Sequence, residues 1–152
     1  MHEIQTDIVI HATPENVWAV LSDFAAFPEW NPFIPRITGT LKLGGCLKIR
    51  MTPPGSFPAT FYTKVQILDA NHELRWLGRP LVPGIFDGQH RFVIHPLPDG
   101  TVRFEQAERF SGILVGFFTH RHETITKPGF ALMNAALKAR VEALYPVQPT
   151  SR

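Results

Sequence analysis

Four polar residues stand where apolar side chains are expected, and they are the chain's candidates for chemistry. His90 alternates in register with Phe92 and Ile94, and Gln106 and Glu108 alternate with Phe104 and Phe110. Asn134 falls on the stripe formed at helical spacing by Phe130, Met133, Leu137, Val141 and Leu144. A buried polar group costs free energy unless it is hydrogen-bonded, so these four must satisfy one another or meet the polar end of a ligand. His90 and Glu108 on neighbouring strands form the candidate catalytic pair. A carboxylate that holds an imidazole can tune it as a proton donor or acceptor. The competing reading is a fixed hydrogen bond inside the core, or a Glu108 turned outward at a bulge.

Other chemistries find little support. Of seven histidines, only His120-Arg-His122-Glu123 are close-spaced, and this is not the His-Glu-x-x-His pattern that sets two ligands on one helix face. That segment reads as a solvated helix start, so no metal is expected. Cys46 is the single cysteine, which excludes an internal disulfide and a zinc–cysteine framework. Neither a glycine-rich phosphate loop nor Gly-x-Ser-x-Gly occurs, so no cofactor and no hydrolase nucleophile are expected. Fifteen basic residues face thirteen acidic ones, scattered along the chain, which argues against nucleic acid as a partner. Met1–Asp7 lacks the basic-then-apolar order of a signal peptide, and no apolar run approaches the ~18 residues of a membrane span. A cytoplasmic protein is the expectation.

The elements that must position these residues follow from periodicity. Glu3–His11 alternates as a half-buried strand, with Ile4, Thr6, Ile8 and Ile10 on one face. Thr13 is a natural N-cap and Pro14 suits the first helical position. The apolar stripe Val17, Trp18, Val20 and Leu21 completes a short helix. Phe27-Pro-Glu-Trp-Asn-Pro-Phe-Ile34 cannot continue that helix and reads as an aromatic corner feeding a strand. Further strands are expected over Phe33–Lys42, Cys46–Thr52, Phe61–Leu68, Glu73–Arg79, Gly88–Pro96 and Thr101–Phe110, mostly antiparallel by their short connections. Lys48 and Arg50 share the outward face. A proline-rich loop, Pro80–Phe86, separates two of these strands. Ile113–Phe118, flanked by Gly112 and Gly116, has no clean period; it reads as a lid, a dimer contact, a membrane-touching tip or a buried connection. A final helix runs from Phe130, or from Ile125, to Leu144, with Pro128-Gly129 as a kink or as its start. The 152 residues are read as one domain over 1–147 and a short tail over 148–152.

Four segments carry a family likeness: Ala12-Thr-Pro-Glu-Asn-Val-Trp18, Phe27-Pro-Glu-Trp-Asn-Pro-Phe33, Glu108-Arg-Phe-Ser-Gly112 and Phe130-Ala-Leu-Met-Asn-Ala-Ala-Leu-Lys138. In this order the chain resembles the START-like superfamily, and within it the bacterial polyketide cyclase/dehydrase and lipid-transport branch. The resemblance implies an α+β helix-grip fold. A curved antiparallel sheet of about seven strands would wrap a long C-terminal helix, with two short helices after the first strand. It further implies an apolar ligand cavity between sheet and helix.

Ligand-binding candidates follow from the faces that would look inward. They are Trp30 in the corner; Met51, Thr63, Val65 and Trp76 in the middle strands; and His90, Phe92, Phe104, Gln106, Glu108 and Phe110 in the last two. Phe130, Met133, Asn134 and Leu137 complete the set from the final helix. Each apolar member is equally a candidate for plain core. The favoured function is binding of a hydrophobic small molecule such as a lipid, a sterol-like or an aromatic polyketide-like compound. An aromatase/cyclase- or dehydratase-like enzyme is the second class, with His90 and Glu108 as its acid/base candidates. A protein-interaction module with a filled interior is the third. A homodimer, if formed, would use Ile113–Phe118 first.

Overall fold

The computed structural model describes residues 1–79 and 84–148. Most of the proline-rich loop, Pro149 and the rest of the expected tail beyond Gln148 lie outside the described residues. Seven strands form one antiparallel sheet: β1 (His2–Ile10), β2 (Arg36–Gly39), β3 (Cys46–Met51), β4 (Ala59–Asp69), β5 (Glu73–Gly78), β6 (Asp87–Pro96) and β7 (Val102–Ser111). Their spatial order is β1-β7-β6-β5-β4-β3-β2, so every sequential pair from β2 to β7 is adjacent and β1 closes against the last strand. The helices are α1 (Pro14–Leu21), α2 (Phe27–Trp30), α3 (Val115–Arg121) and α4 (Lys127–Leu144). This is the expected α+β helix-grip architecture.

Local chemistry explains the N-terminal part. Thr13 Oγ1 accepts the Asn16 N–H at 3.2 Å, and Pro14 opens α1 where a missing N–H leaves nothing unpaired. Val17, Val20 and Leu21 bury the inner stripe of α1. The aromatic corner is more helical than its two prolines suggest. A 3₁₀ turn over Phe24–Ala26 runs into α2, where Pro28 is tolerated within the first turn. Asn31 ends it: its Oδ1 accepts from Phe33 N at 3.0 Å and Ile34 N at 2.8 Å, which throws Phe33 and Ile34 into the interior.

Two departures from simple periodicity affect the inner face. The expected alternation of Phe61, Thr63, Val65 and Ile67 breaks at a bulge in β4. Val65 pairs with Trp76, but Ile67 then pairs with Arg75 and Leu68 with Leu74, so Leu68 and not Ile67 packs on the core. The second strand is also shorter than Phe33–Lys42, because the corner occupies its start and the left-handed Gly39 ends it.

The C-terminal helix begins earlier than Ile125 or Phe130. Helical backbone runs from Val115 to Leu144, and the second half of the Ile113–Phe118 run, from Val115, supplies its first turn. Pro128 neither starts nor breaks it. Pro128 has no N–H for the Thr124 carbonyl, and the chain accommodates this with a π-helical segment over His122–Thr126. The Lys127 N–H reaches back five residues to the His122 carbonyl. α4 then lies across β1 and α1, burying Phe130, Met133, Leu137 and Val141. On the outer face, Arg91 bridges Glu3 and Glu105, which holds β1, β7 and β6 in register from outside.

Candidate functional site

α4 covers only part of the inner face. Beyond it the sheet, the π segment and α3 enclose a cavity of about 370 Å³. Its floor comes from Ile49, Met51, Ala59, Phe61 and Thr63 on β3 and β4, with Trp76 and Gly78 from β5. Gly88, Glu108 and Phe110 line it from β6 and β7. Phe33 enters from the corner, while Phe118, Arg121, His122, Ile125 and Thr126 form the helical wall. The extra residue in each turn of a π helix rotates side chains relative to an α-helix, and three of the five residues in the π segment face the cavity. At the mouth Arg121 Nη2 donates to Ser56 Oγ at 2.9 Å, tying α3 to the loop after β3, whose Phe57 is 88 % exposed.

The candidates from the sequence divide into two groups. Met51, Thr63, Trp76, Glu108 and Phe110 line the cavity. Val65, Phe92, Phe104, Phe130, Met133 and Leu137 are buried in the packed core away from its walls, and Trp30 packs edge-on against Phe27 in the corner. His90, Gln106 and Asn134 form a chain of hydrogen bonds through that core. Thr6 donates to the Gln106 carbonyl at 3.3 Å, and Asn134 Nδ2 donates to Thr6 Oγ1 at 2.8 Å. Gln106 Nε2 donates to Asn134 Oδ1 at 2.7 Å and to the Phe130 carbonyl at 3.4 Å. Gln106 Oε1 is thereby left as an acceptor for His90 Nε2–H at 3.0 Å. The chain is directional, and it ties β6, β7, β1 and α4 together at one point.

The direction of that chain settles the state of His90. With Nε2 as donor, Nδ1 carries a lone pair, and no partner meets it. The ring is fully buried between Phe92, Phe130 and Trp76, and burial pushes its pKa down to about 3. A neutral imidazole locked in this way positions the helix on the sheet. It lies behind the cavity wall and is not part of it. His90 and Glu108 are cross-strand partners, but Nδ1 stands 3.8 Å from Glu108 Oε2, beyond hydrogen-bond reach.

Glu108 itself faces the cavity. It points inward and not out at a bulge, with its side chain 13 % exposed. Among the described residues no positive charge or hydrogen bond compensates it, and burial pushes the carboxyl up to about 8. At neutral pH it is a carboxylic acid with a proton to donate. Gly88 makes room for it: a Cβ there would lie 2.7 Å from Glu108 Oε1.

His122, expected in a solvated helix start, is only 6 % exposed and lines the cavity. Its ring stacks on Phe110 with centroids 3.6 Å apart and planes within 6°. Burial, with the nearby His2 second, pushes its pKa down to about 4, and its Nδ1 is buried without a partner. The apolar residues around it gave a signal, since Phe117 and Phe118 precede it and Ile125 follows. The missing piece was the helical phase that puts His122 on the same side as Phe118 and Ile125. Among the described residues no group of three His, Cys, Asp or Glu side chains is placed to hold a metal. None of the described helices is long and apolar enough to cross a membrane.

A curved antiparallel sheet gripping a C-terminal helix beside an apolar cavity defines a START-like domain. The chain belongs to the family described as polyketide cyclase / dehydrase and lipid transport, whose model matches residues 1–142. No curated protein matches it. Among solved structures it is similar to the Zhui aromatase/cyclase from Streptomyces sp. R1128, with a TM-score of 0.74 at 12% identity over 93% of both chains. A START superfamily protein from Mycobacterium smegmatis aligns with a TM-score of 0.71 at 22% identity, over 95% of this chain and 99% of that one. Norcoclaurine synthase from Thalictrum flavum, in complex with dopamine and hydroxybenzaldehyde, aligns with a TM-score of 0.71 at 15% identity, over 97% and 89%. At such identities the likeness is one of fold.

Proposed function

We propose that the protein binds a hydrophobic small molecule in the cavity beside α4. The observation that carries this reading is the cavity itself: about 370 Å³, walled by aromatic and aliphatic side chains, with few polar groups. Such a volume lies in the range of small-molecule sites, roughly 300–1,000 Å³. Burying apolar ligand surface would drive association at about 25 cal/mol per Å². The rings of Phe33, Phe61, Trp76, Phe86, Phe110 and Phe118 favour a flat aromatic, polyketide-like ligand over an acyl chain.

The test is native mass spectrometry of protein purified from cells, followed by extraction of any bound compound. The wild type is expected to carry a small-molecule adduct. Ala59→Trp, which fills the cavity from β4, is expected to lose it while keeping its far-ultraviolet spectrum. The same adduct on Ala59→Trp contradicts the reading. So does a wild type that emerges empty and also fails to bind added naphthalene.

A second reading, proton-transfer catalysis of the cyclase or dehydratase type, is favoured by one observation. Glu108 is a carboxyl that keeps its proton at neutral pH inside an apolar cavity, the condition a general acid needs. The fully enclosed His90 would then act only by positioning. If turnover of any extracted compound survives Glu108→Gln, this reading is lost and the binding reading stands.

A further inference from the structure

We infer that Arg121 is the recognition group for the acidic head of an amphipathic ligand, so that the cavity takes an aromatic carboxylic acid with its rings inside and its carboxylate at the mouth. The inference rests on the cavity reading above and deepens it. Three ionisable side chains line the cavity: Glu108, Arg121 and His122. Burial keeps Glu108 protonated and His122 neutral near pH 7, so Arg121 is the one charged group on the wall among the described residues. Arg121 is exposed, whereas His122 is buried and Glu108 nearly so, which puts the charge at the mouth and not in the depth.

Nothing among the described residues cancels that charge. Ser56 Oγ accepts one guanidinium N–H at 2.9 Å, which holds the group at the cavity edge and leaves the rest of its donor fork to a ligand. Glu123, two positions on, is bridged to His2 at 3.3 Å and to Lys127 at 3.8 Å. Asp87, between the lining residues Phe86 and Gly88, is bridged to Arg79 at 3.6 Å. The floor of the cavity adds charge of the same sign. Between Glu29 and Asp69 the chain has no acidic residue, and this stretch holds β2, β3, β4 and the mouth loop with Ser56 and Phe57. Arg36, Lys48, Arg50 and Lys64 stand exposed on the outer face of those strands, with Arg36 and Arg50 as cross-strand partners. A field of one sign over this side of the molecule steers anions towards it.

The position of the charge sets the orientation of the ligand. Deep in the cavity a carboxylate would lose its water and meet no positive charge, which is costly. At the mouth it keeps part of its hydration and gains a charge-assisted hydrogen bond from Arg121. The rings of Phe61, Trp76, Phe110 and Phe118 take the apolar body. A neutral polar head of the same size gains a hydrogen bond at Arg121 without the charge. The mouth therefore ranks acid above amide.

The experiment is calorimetric titration of the full chain at pH 7 with 4-(2-naphthyl)butanoate, with the corresponding amide and with naphthalene. The tether lets a carboxylate reach the mouth while the rings stay inside. Wild type is expected to prefer the acid to the amide about fivefold at low salt, and the preference is expected to shrink in strong salt. Arg121→Gln is expected to abolish it. Ser56→Ala, which releases the guanidinium but keeps its charge, is expected to retain it. The ratio of acid to amide is read within each variant, so a general change in affinity does not disturb it, and naphthalene reports whether the cavity is intact. Equal affinity of wild type for acid and amide overturns this inference and leaves the cavity reading standing. A preference that persists in Arg121→Gln, that salt leaves unchanged, or that Ser56→Ala also abolishes overturns the assignment to the charge of Arg121. Failure of wild type to bind any of the three compounds contradicts both the inference and the cavity reading.

Discussion

Replacing Glu108 with glutamine is expected to remove most of the loss of stability that the protein suffers above neutral pH. The folded carboxyl holds its proton up to about 8, whereas its ordinary value is 4.5. Between those limits the unfolded chain has released a proton that the folded chain keeps. Raising the pH therefore favours unfolding, by about 1.4 kcal/mol per pH unit, until the folded group also ionises. The two buried imidazoles act in the opposite sense. His90 and His122 have ordinary values of 6.5 and folded values of about 3 and about 4. Below pH 6.5 the unfolded chain takes up protons that the folded rings refuse, so acid destabilises.

Between pH 4.5 and 6.5 the two imidazoles outweigh the one carboxyl, and stability rises with pH. Above 6.5 only the carboxyl acts and stability falls. These three groups together place the optimum near pH 6.5. In Glu108→Gln the alkaline branch is expected to be flat between pH 6.5 and 8, and at pH 8 the variant should exceed wild type by on the order of 4 kcal/mol. Urea denaturation across pH 5–9, followed by tryptophan fluorescence, measures this. Parallel wild-type and variant profiles would mean that Glu108 is ionised in the folded protein.

The second large effect is expected at Gly129, where helix propensity and packing give opposite answers. In an exposed helix Gly→Ala stabilises by about 1 kcal/mol. Here a Cβ on Gly129 would fall within the Phe33 ring, which the Asn31 turn holds fully buried from below. Both are backed by rigid structure, α4 above and the corner below, so neither gives way cheaply. Overpacking of this kind costs typically 1–3 kcal/mol. Gly129→Ala is expected to destabilise by about 2 kcal/mol in thermal or urea unfolding, and Phe33→Leu in the same chain should recover part of it. A neutral or stabilising Gly129→Ala would mean that α4 does not rest on Phe33.

Caps, turns and alternating faces are local, so Thr13, Pro14 and the inward set from Ile4 to Phe110 were legible. Gly129 was visible as a helix irregularity, but its reason is a ring ninety-six positions earlier in the chain, brought there by the corner. The bulge that exchanges Ile67 for Leu68 leaves no mark in composition. Alternation says which residues point inward. It does not say which lie under α4 and which beyond it, and this divides Val65, Phe92 and Gln106 in the packed core from Thr63, Trp76 and Glu108 on the cavity wall. His122 lies outside the reach of such local patterns because the apolar run Ile113–Phe118 hides a helix start: only with the helix beginning at Val115 do Phe118, His122 and Ile125 fall at the i, i+4, i+7 spacing of one face.

The central claim is that a ligand occupies the space beyond α4 and leaves the core beneath it untouched. Methyl-resolved NMR of the ¹³C-labelled protein during addition of 2-naphthol tests it most directly. The methyl signals of Ile49 and Met51 on the floor of the cavity and of Ile125 on its helical wall are expected to shift together and saturate, while those of Met133, Leu137 and Val141 under α4 stay in place. Shifts confined to exposed methyls such as Leu43 and Val147, or no saturable shift at Ile49, Met51 and Ile125, would contradict the account.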